Sequence, residues 1–148
     1  MTRKVSRSTG KIGNSWVWIA GFAILALIVV GAISAMTPPD ATASLAREIS
    51  VSEAATLREH GAFMLDVREP DEWNAGHIPE ATLIPLGELE SRLDELPRDQ
   101  QIVVVCRSGN RSATGRDILL DAGFKEVTSM GGGMNSWVSQ GLPTVTGP

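Results

Sequence analysis

Residues 101–106 read Gln-Ile-Val-Val-Val-Cys, and this run restricts the possible folds more than any other stretch of the chain. Ile102 through Val105 are β-branched throughout, and branching at Cβ favours a pleated strand over a helix. A strand with one wet face alternates apolar and polar side chains. An unbroken apolar run belongs to a strand covered on both faces, as in the middle of a parallel sheet. Parallel neighbours are joined only by crossover connections, so the flanking sequence must supply helices.

The flanking sequence has that rhythm. "AFMLDV" (62–67), "ATLIP" (81–85) and "EVTSM" (126–130) read as further strands. Ser50 with Glu53 fits a capping box ahead of "VSEAATLRE", and Gly61 fits its stop. "GELESRLDEL" (87–96) places Leu89, Leu93 and Leu96 at helical spacing before Pro97. "SATGRDILLDAG" (112–123) predicts a helix ending near Gly123, and "MNSWVSQG" (134–141) a short one. There is no internal repeat and no low-complexity tract. The fold class expected is α/β, a mostly parallel central sheet flanked by helices, over residues 48–144, with 145–148 as a tail.

The N-terminal part is of a different kind. Trp16 to Met36 is an uncharged run of 21 residues. At ~1.5 Å per residue, a helix of that length spans roughly 30 Å of hydrocarbon. Trp16 and Trp18 stand where an interfacial aromatic belt would lie. Arg3, Lys4, Arg7 and Lys11 in residues 1–15 keep that end in the cytoplasm under the positive-inside rule. Residues 16–36 are therefore expected to be a transmembrane anchor. Residues 37–47 are a Pro/Ala/Thr/Ser-rich linker, and the body lies outside the cytoplasm, in the periplasm. The competing reading is a signal peptide cleaved after "ATA" (41–43), which would release the body. Residues 41–148 carry 9 basic and 16 acidic side chains, a net of −7, which argues against a nucleic-acid partner.

Cys106 is the only cysteine, so the chain has no internal disulfide. It ends the strongest strand, at the edge of a sheet where α/β folds bind ligands. The loop "CRSGNRS" (106–112) then enters a helix, and backbone N–H groups at a helix start form an anion cup. That cup, with Arg107 and Arg111 nearby, favours thiolate over thiol. On spacing alone, Cys106 as one more buried apolar residue remains open beside this reading.

Three motifs together resemble the rhodanese family of sulfurtransferases, across roughly Glu48 to Leu142. They are "LDVREPDEWNAGHIPEA" (65–81), "CRSGNRS" (106–112) and "GGMNSW" (132–137). Glu80 stands where family members often have Gly. The resemblance implies that Cys106 takes a sulfane sulfur from a donor such as thiosulfate, and that a persulfide passes it to cyanide, a thiol or a protein thiol. It implies a loop of Arg107, Ser108, Gly109, Asn110, Arg111 and Ser112 around the substrate. No cofactor is implied. Arg107 and Arg111 suit an anionic donor, with Arg111 expected to matter more and Arg107 to face solvent.

Cys-dependent phosphatases have a similar loop with one residue more between Cys and Arg, and a shorter loop fits one sulfur better than a tetrahedral phosphate. Asp66 and Arg68 stand at the end of a strand near the mouth. Arg68 is a candidate donor ligand, and an Asp66–Arg68 ion pair anchoring neighbouring loops is the alternative. His77 in "GHIP" reads as a turn residue, and no carboxylate or second His stands with it at metal-ligand spacing, so no metal is expected. Two other functions compete with catalysis: a rhodanese-like binding module without chemistry, and a redox partner that carries persulfide or disulfide equivalents to an exported protein.

Overall fold

The computed structural model describes residues 45–148. The expected anchor at 16–36 and nearly all of the linker lie outside them. Among the described residues, no helix is long and apolar enough to cross a membrane.

Five strands form one parallel sheet: β1 (Glu48–Ile49), β2 (Phe63–Asp66), β3 (Thr82–Leu83), β4 (Ile102–Val105) and β5 (Val127–Met130). Their order is β1-β5-β4-β2-β3, which puts the all-apolar β4 in the centre. Alternation along β4 explains why it has no polar residue. Ile102 and Val104 join Leu65, Val67, Leu89 and Leu119 in one core. Val103 and Val105 join Met64, Ile78, Met130 and Trp137 in the other, on the opposite face. Cys106 continues the parity of Ile102 and Val104 and closes the first core at its edge.

Among the described residues, four α-helices connect and cover the strands: α1 (Val51–Glu59), α2 (Pro70–Ala75), α3 (Asn110–Asp121) and α4 (Gly133–Ser139). The capping box at α1 is complete: Ser50 Oγ accepts the Glu53 N–H, and Glu53 accepts the Ser50 N–H. One expectation needs correction. Residues 87–96 are not an α-helix but two 3₁₀ segments, Leu86–Ser91 and Leu93–Glu95. Leu89, inside the first segment, and Leu96, just past the second, are still buried. Arg92 breaks the run at φ −120° while its guanidinium pairs with Glu88 and Glu95. The sequence reading assigned no element to residues 70–75, where the structure has α2. Pro70 at its first position and Asp71 and Glu72 in its first turn are the local causes of that helix.

Both ends of the body are tied down. The Arg47 carbonyl accepts from the Ser129 backbone N–H and from Arg116, and the Ala46 carbonyl accepts from Thr128 Oγ1. At the other end, Val145 and His77 exchange two backbone hydrogen bonds of 2.9 Å, and the Gly147 N–H reaches the Asn74 carbonyl. His77 is also held, stacked on Trp73 with ring centroids 3.5 Å apart and its Nδ1 at the Trp73 carbonyl.

Glu80 sits in the left-handed region at φ 66°, the single non-glycine there among the described residues. Its carboxylate is exposed and makes only a 3.5 Å contact with Arg58, which contributes little at a wet surface. Left-handed backbone costs a side-chain-bearing residue roughly 1–2 kcal/mol, and glycine loses about 0.5–1 kcal/mol more entropy on folding. Glu80→Gly should therefore stabilise the fold by ~0.5 kcal/mol, raising Tm by about 2–4 °C in a thermal melt. A lower Tm would mean that the Arg58 contact outweighs the backbone strain.

Candidate active site

The site is built where β4 ends. Cys106 leaves the strand, Arg107 and Ser108 are exposed, and Gly109 turns the chain into α3 at φ 109°. The loop carbonyls are pinned from the side by α4. The Met134 N–H donates to the Cys106 carbonyl at 2.8 Å, and the Asn135 N–H donates to the Arg107 carbonyl at 3.0 Å. A trans peptide points its N–H opposite to its C=O. Holding the Arg107 carbonyl outward therefore turns the N–H of Ser108 inward, toward the sulfur. The close approach of α4 requires Gly133, at φ 56°. A Cβ there would meet the Cys106 carbonyl oxygen at 2.4 Å and Ser108 N at 2.6 Å. Trp137, almost fully buried and donating Nε1–H to the Pro143 carbonyl at 2.9 Å, keeps α4 in place.

The sulfur sits among polar groups. The Gly109 N–H donates to Cys106 Sγ at 3.1 Å, and the Cys106 thiol donates to Ser112 Oγ at 3.5 Å. Ser112 itself is buried and fixed, its hydroxyl donating to the Gly109 carbonyl at 2.8 Å. Burial pushes the Cys106 thiol up. The Ser112 hydroxyl and the N–H groups of Ser112, Gly109 and Ser108 more than offset it, so the thiol lies below its ordinary range. The residue is only 1% exposed, so a reactant must enter the loop to reach the sulfur.

Asp66 and Arg68 are both buried and joined by a fork: Arg68 Nε and Nη2 donate to the Asp66 carboxylate at 2.7–2.9 Å. Arg68 also donates to the carbonyls of Glu72 and Gly76, so it ties β2 to α2 and the turn after it. The two arginines of the loop differ in their partners. Arg111 Nη1 and Nη2 grip both oxygens of Glu72 at 2.7 and 2.8 Å. Arg107 forms no ion pair among the described residues. It lines a cavity of about 510 Å³ with Arg68, Glu72, Met134, Asn135 and Val138. Arg107 is exposed, as expected, and also lines the cavity, while Arg111 is held by a carboxylate. Asn110 is exposed at the start of α3, with its carbonyl accepting from Thr114 Oγ1.

Glu72 is the site residue that sequence reasoning missed. Its local signal, an acid at the third position of a Pro-initiated helix, explains only its cap to the Glu69 N–H at 3.2 Å. Nothing local links it to Arg111, 39 positions away. Among the described residues no cluster of His, Cys, Asp and Glu is arranged to hold a metal ion.

The donor set around Sγ sets the pH dependence. Because the folded thiol titrates below an ordinary one, its thiolate is populated at lower pH than in the unfolded chain. Ser112→Ala removes the largest lowering contribution and leaves burial, which raises. The pH midpoint for alkylation of Cys106 by iodoacetamide should move to higher pH in that variant, with slower alkylation at neutral pH. An unchanged profile would show that the backbone amides alone hold the thiolate.

Comparison with known proteins agrees with this site. The family model described as a rhodanese-like domain matches residues 50–140, which span α1, the loop and α4. A sulfurtransferase of Allochromatium vinosum is 37% identical over 83 residues, 56% of this chain and 78% of that protein. The thiosulfate sulfurtransferase GlpE of Pseudomonas syringae is 34% identical over 91 residues, 62% of this chain and 86% of that protein. The crystal structure of a rhodanese-related protein from Thermoplasma volcanium superimposes with a TM-score of 0.64 at 33% identity, over 69% of this chain and all of that one. The chain belongs to the rhodanese-like domain family.

Proposed function

We propose that this protein is a membrane-anchored, extracytoplasmic sulfurtransferase that moves a sulfane sulfur through a persulfide on Cys106. Sulfur transfer is supported at the level of the family. The observation that carries the reading to this chain is the environment of Sγ. The sulfur is buried, and its thiol is lowered by the Ser112 hydroxyl and the loop amides.

The chemistry follows from those donors. With thiosulfate, the Cys106 thiolate attacks the sulfane sulfur. An S–S bond to Cys106 forms as the S–S bond of thiosulfate breaks, and sulfite leaves with the bonding pair. The terminal persulfide sulfur is an anion, and N–H groups preorganised toward Sγ stabilise it without reorganising. Cyanide or a thiolate then attacks that terminal sulfur. Thiocyanate or a new persulfide departs, and the Cys106 thiolate returns. Arg107 on the cavity wall supplies the cation for an anionic donor. No proton transfer is needed at Sγ once the thiolate is formed, which is consistent with His77 being engaged with Trp73.

Cys106→Ser should lower thiosulfate:cyanide transfer by more than about a thousandfold with the melting temperature little changed, since a serine hydroxyl is far less nucleophilic at neutral pH. Residual activity within tenfold of wild type would remove Cys106 from the mechanism. For the location, the uncharged run at 16–36 and the basic residues ahead of it support an anchor with the body outside. The intact chain should sediment with membranes, and protease added from outside the cytoplasmic membrane should digest its body. A mature N-terminus at Ser44 would indicate cleavage instead, and a body protected from that protease would contradict the orientation.

A further inference from the structure

Five charged side chains surround the mouth of the loop, and their pairing is selective. Asp66 neutralises Arg68 in a buried fork. Glu72 neutralises Arg111 in a second fork, half-buried, with side-chain exposures of 21% and 32%. Arg107 alone has no ion pair among the described residues. Glu72 lies on the cavity wall beside Arg107. A site shaped only to attract anions gains nothing from a carboxylate in its wall, because that carboxylate cancels one cation and repels the ligand. The helix cap that Glu72 provides does not require it either, since an uncharged acceptor would also take the Glu69 N–H.

We infer that Glu72 is a specificity-determining positioning residue: by pairing with Arg111 it lowers the positive charge that the loop offers an anionic donor, so the site discriminates against doubly charged sulfur donors in favour of singly charged ones. The inference rests on Cys106 being the sulfur-accepting nucleophile. It adds that the preferred donor class is a monoanion, such as an alkyl thiosulfonate. The fork also fixes the Arg111 guanidinium in its plane, so the arginine steadies the start of α3 without facing the donor.

The test compares Glu72→Gln with wild type on thiosulfate, a dianion, and methanethiosulfonate, a monoanion, with cyanide as acceptor. Glutamine is nearly isosteric and its amide oxygen can still accept from Arg111, so the charge is removed with little change of shape. KM for thiosulfate should fall about three- to tenfold, with a smaller fall for methanethiosulfonate, so that the preference shifts toward the dianion. A second readout does not depend on sulfur transfer: the ratio of Cys106 alkylation rates by iodoacetate and by neutral iodoacetamide at one pH. That ratio cancels the thiolate fraction and reports the local potential. It should rise by a similar factor in Glu72→Gln and stay at the wild-type value in Glu72→Asp.

The double variant Glu72→Gln with Arg111→Gln removes both charges, so both ratios should return to wild type, which also covers the case of a poorly folding single variant. If Glu72 is only structural and Arg111 binds the donor, the double variant should instead disfavour anions. That result, or unchanged ratios in Glu72→Gln, would overturn the inference. Loss of transfer with every donor in the wild type, with the alkylation ratios still shifting, would fault the sulfurtransferase reading and leave the role of Glu72 in place.

Discussion

Two hydrogen bonds from the start of α4 to the Cys106 and Arg107 carbonyls hold the site in its working form. Without them the peptides of residues 106–108 would be free to turn their carbonyl oxygens toward the sulfur, and the site would repel a thiolate. With them the N–H of Ser108 faces inward and joins those of Gly109 and Ser112. The approach this requires is so close that position 133 has no room for a Cβ, and Gly109 and Gly132 are likewise in left-handed backbone. The rest of the sheet serves this contact. β4 delivers the cysteine from the centre of two cores, β5 leads directly into the glycines, and Trp137 fastens α4 to the second core.

Charge at the site is managed by pairing more than by accumulation. The body is acidic overall, yet the mouth of the loop carries three arginines, two of them neutralised by Asp66 and Glu72. The buried Asp66–Arg68 fork is a structural joint. Arg68 reaches carbonyls at both ends of α2, so losing either partner would strand a charge in the interior, a change that commonly costs about 3–5 kcal/mol. The Glu72–Arg111 fork is shallower and stands between that joint and the loop. The lowered thiol of Cys106 therefore owes its main support to neutral donors at short range, namely Ser112 and the amides, and less to surrounding positive charge. This is a stable solution for a site that must alternate between thiolate and persulfide, because both are monoanions and meet the same donors.

The sequence was legible wherever a local pattern and a long-range constraint agreed. The run 101–106 could only be a central strand, since every residue on both faces is apolar, and the loop after it is short enough that its turn and the following helix are nearly forced. The glycines of the GGMNSW motif mark a special stretch by type, but the atom that demands Gly133 lies 27 positions away in the chain, on Cys106. Where two local patterns were equally good, the reading failed. Leu89, Leu93 and Leu96 suit an α-helix, and they also suit the 3₁₀ turns that actually pack them. The Asp66–Arg68 pair could be read from two residues at one strand end, but the partners of the loop arginines could not. Arg111 and Arg107 are equivalent by type, and only the fold brings Glu72 to one and leaves the other on a cavity wall.

The central claim is that loop amides hold an extra sulfur on Cys106. A crystal structure of the thiosulfate-treated protein tests it most directly. The account predicts one additional sulfur atom, bonded to Sγ and lying inside the loop within hydrogen-bonding reach of inward-facing N–H groups, with the carbonyls of Cys106 and Arg107 still held by Met134 and Asn135. An unmodified Cys106 after treatment, or an added sulfur directed out of the loop with those carbonyl contacts broken, would contradict it.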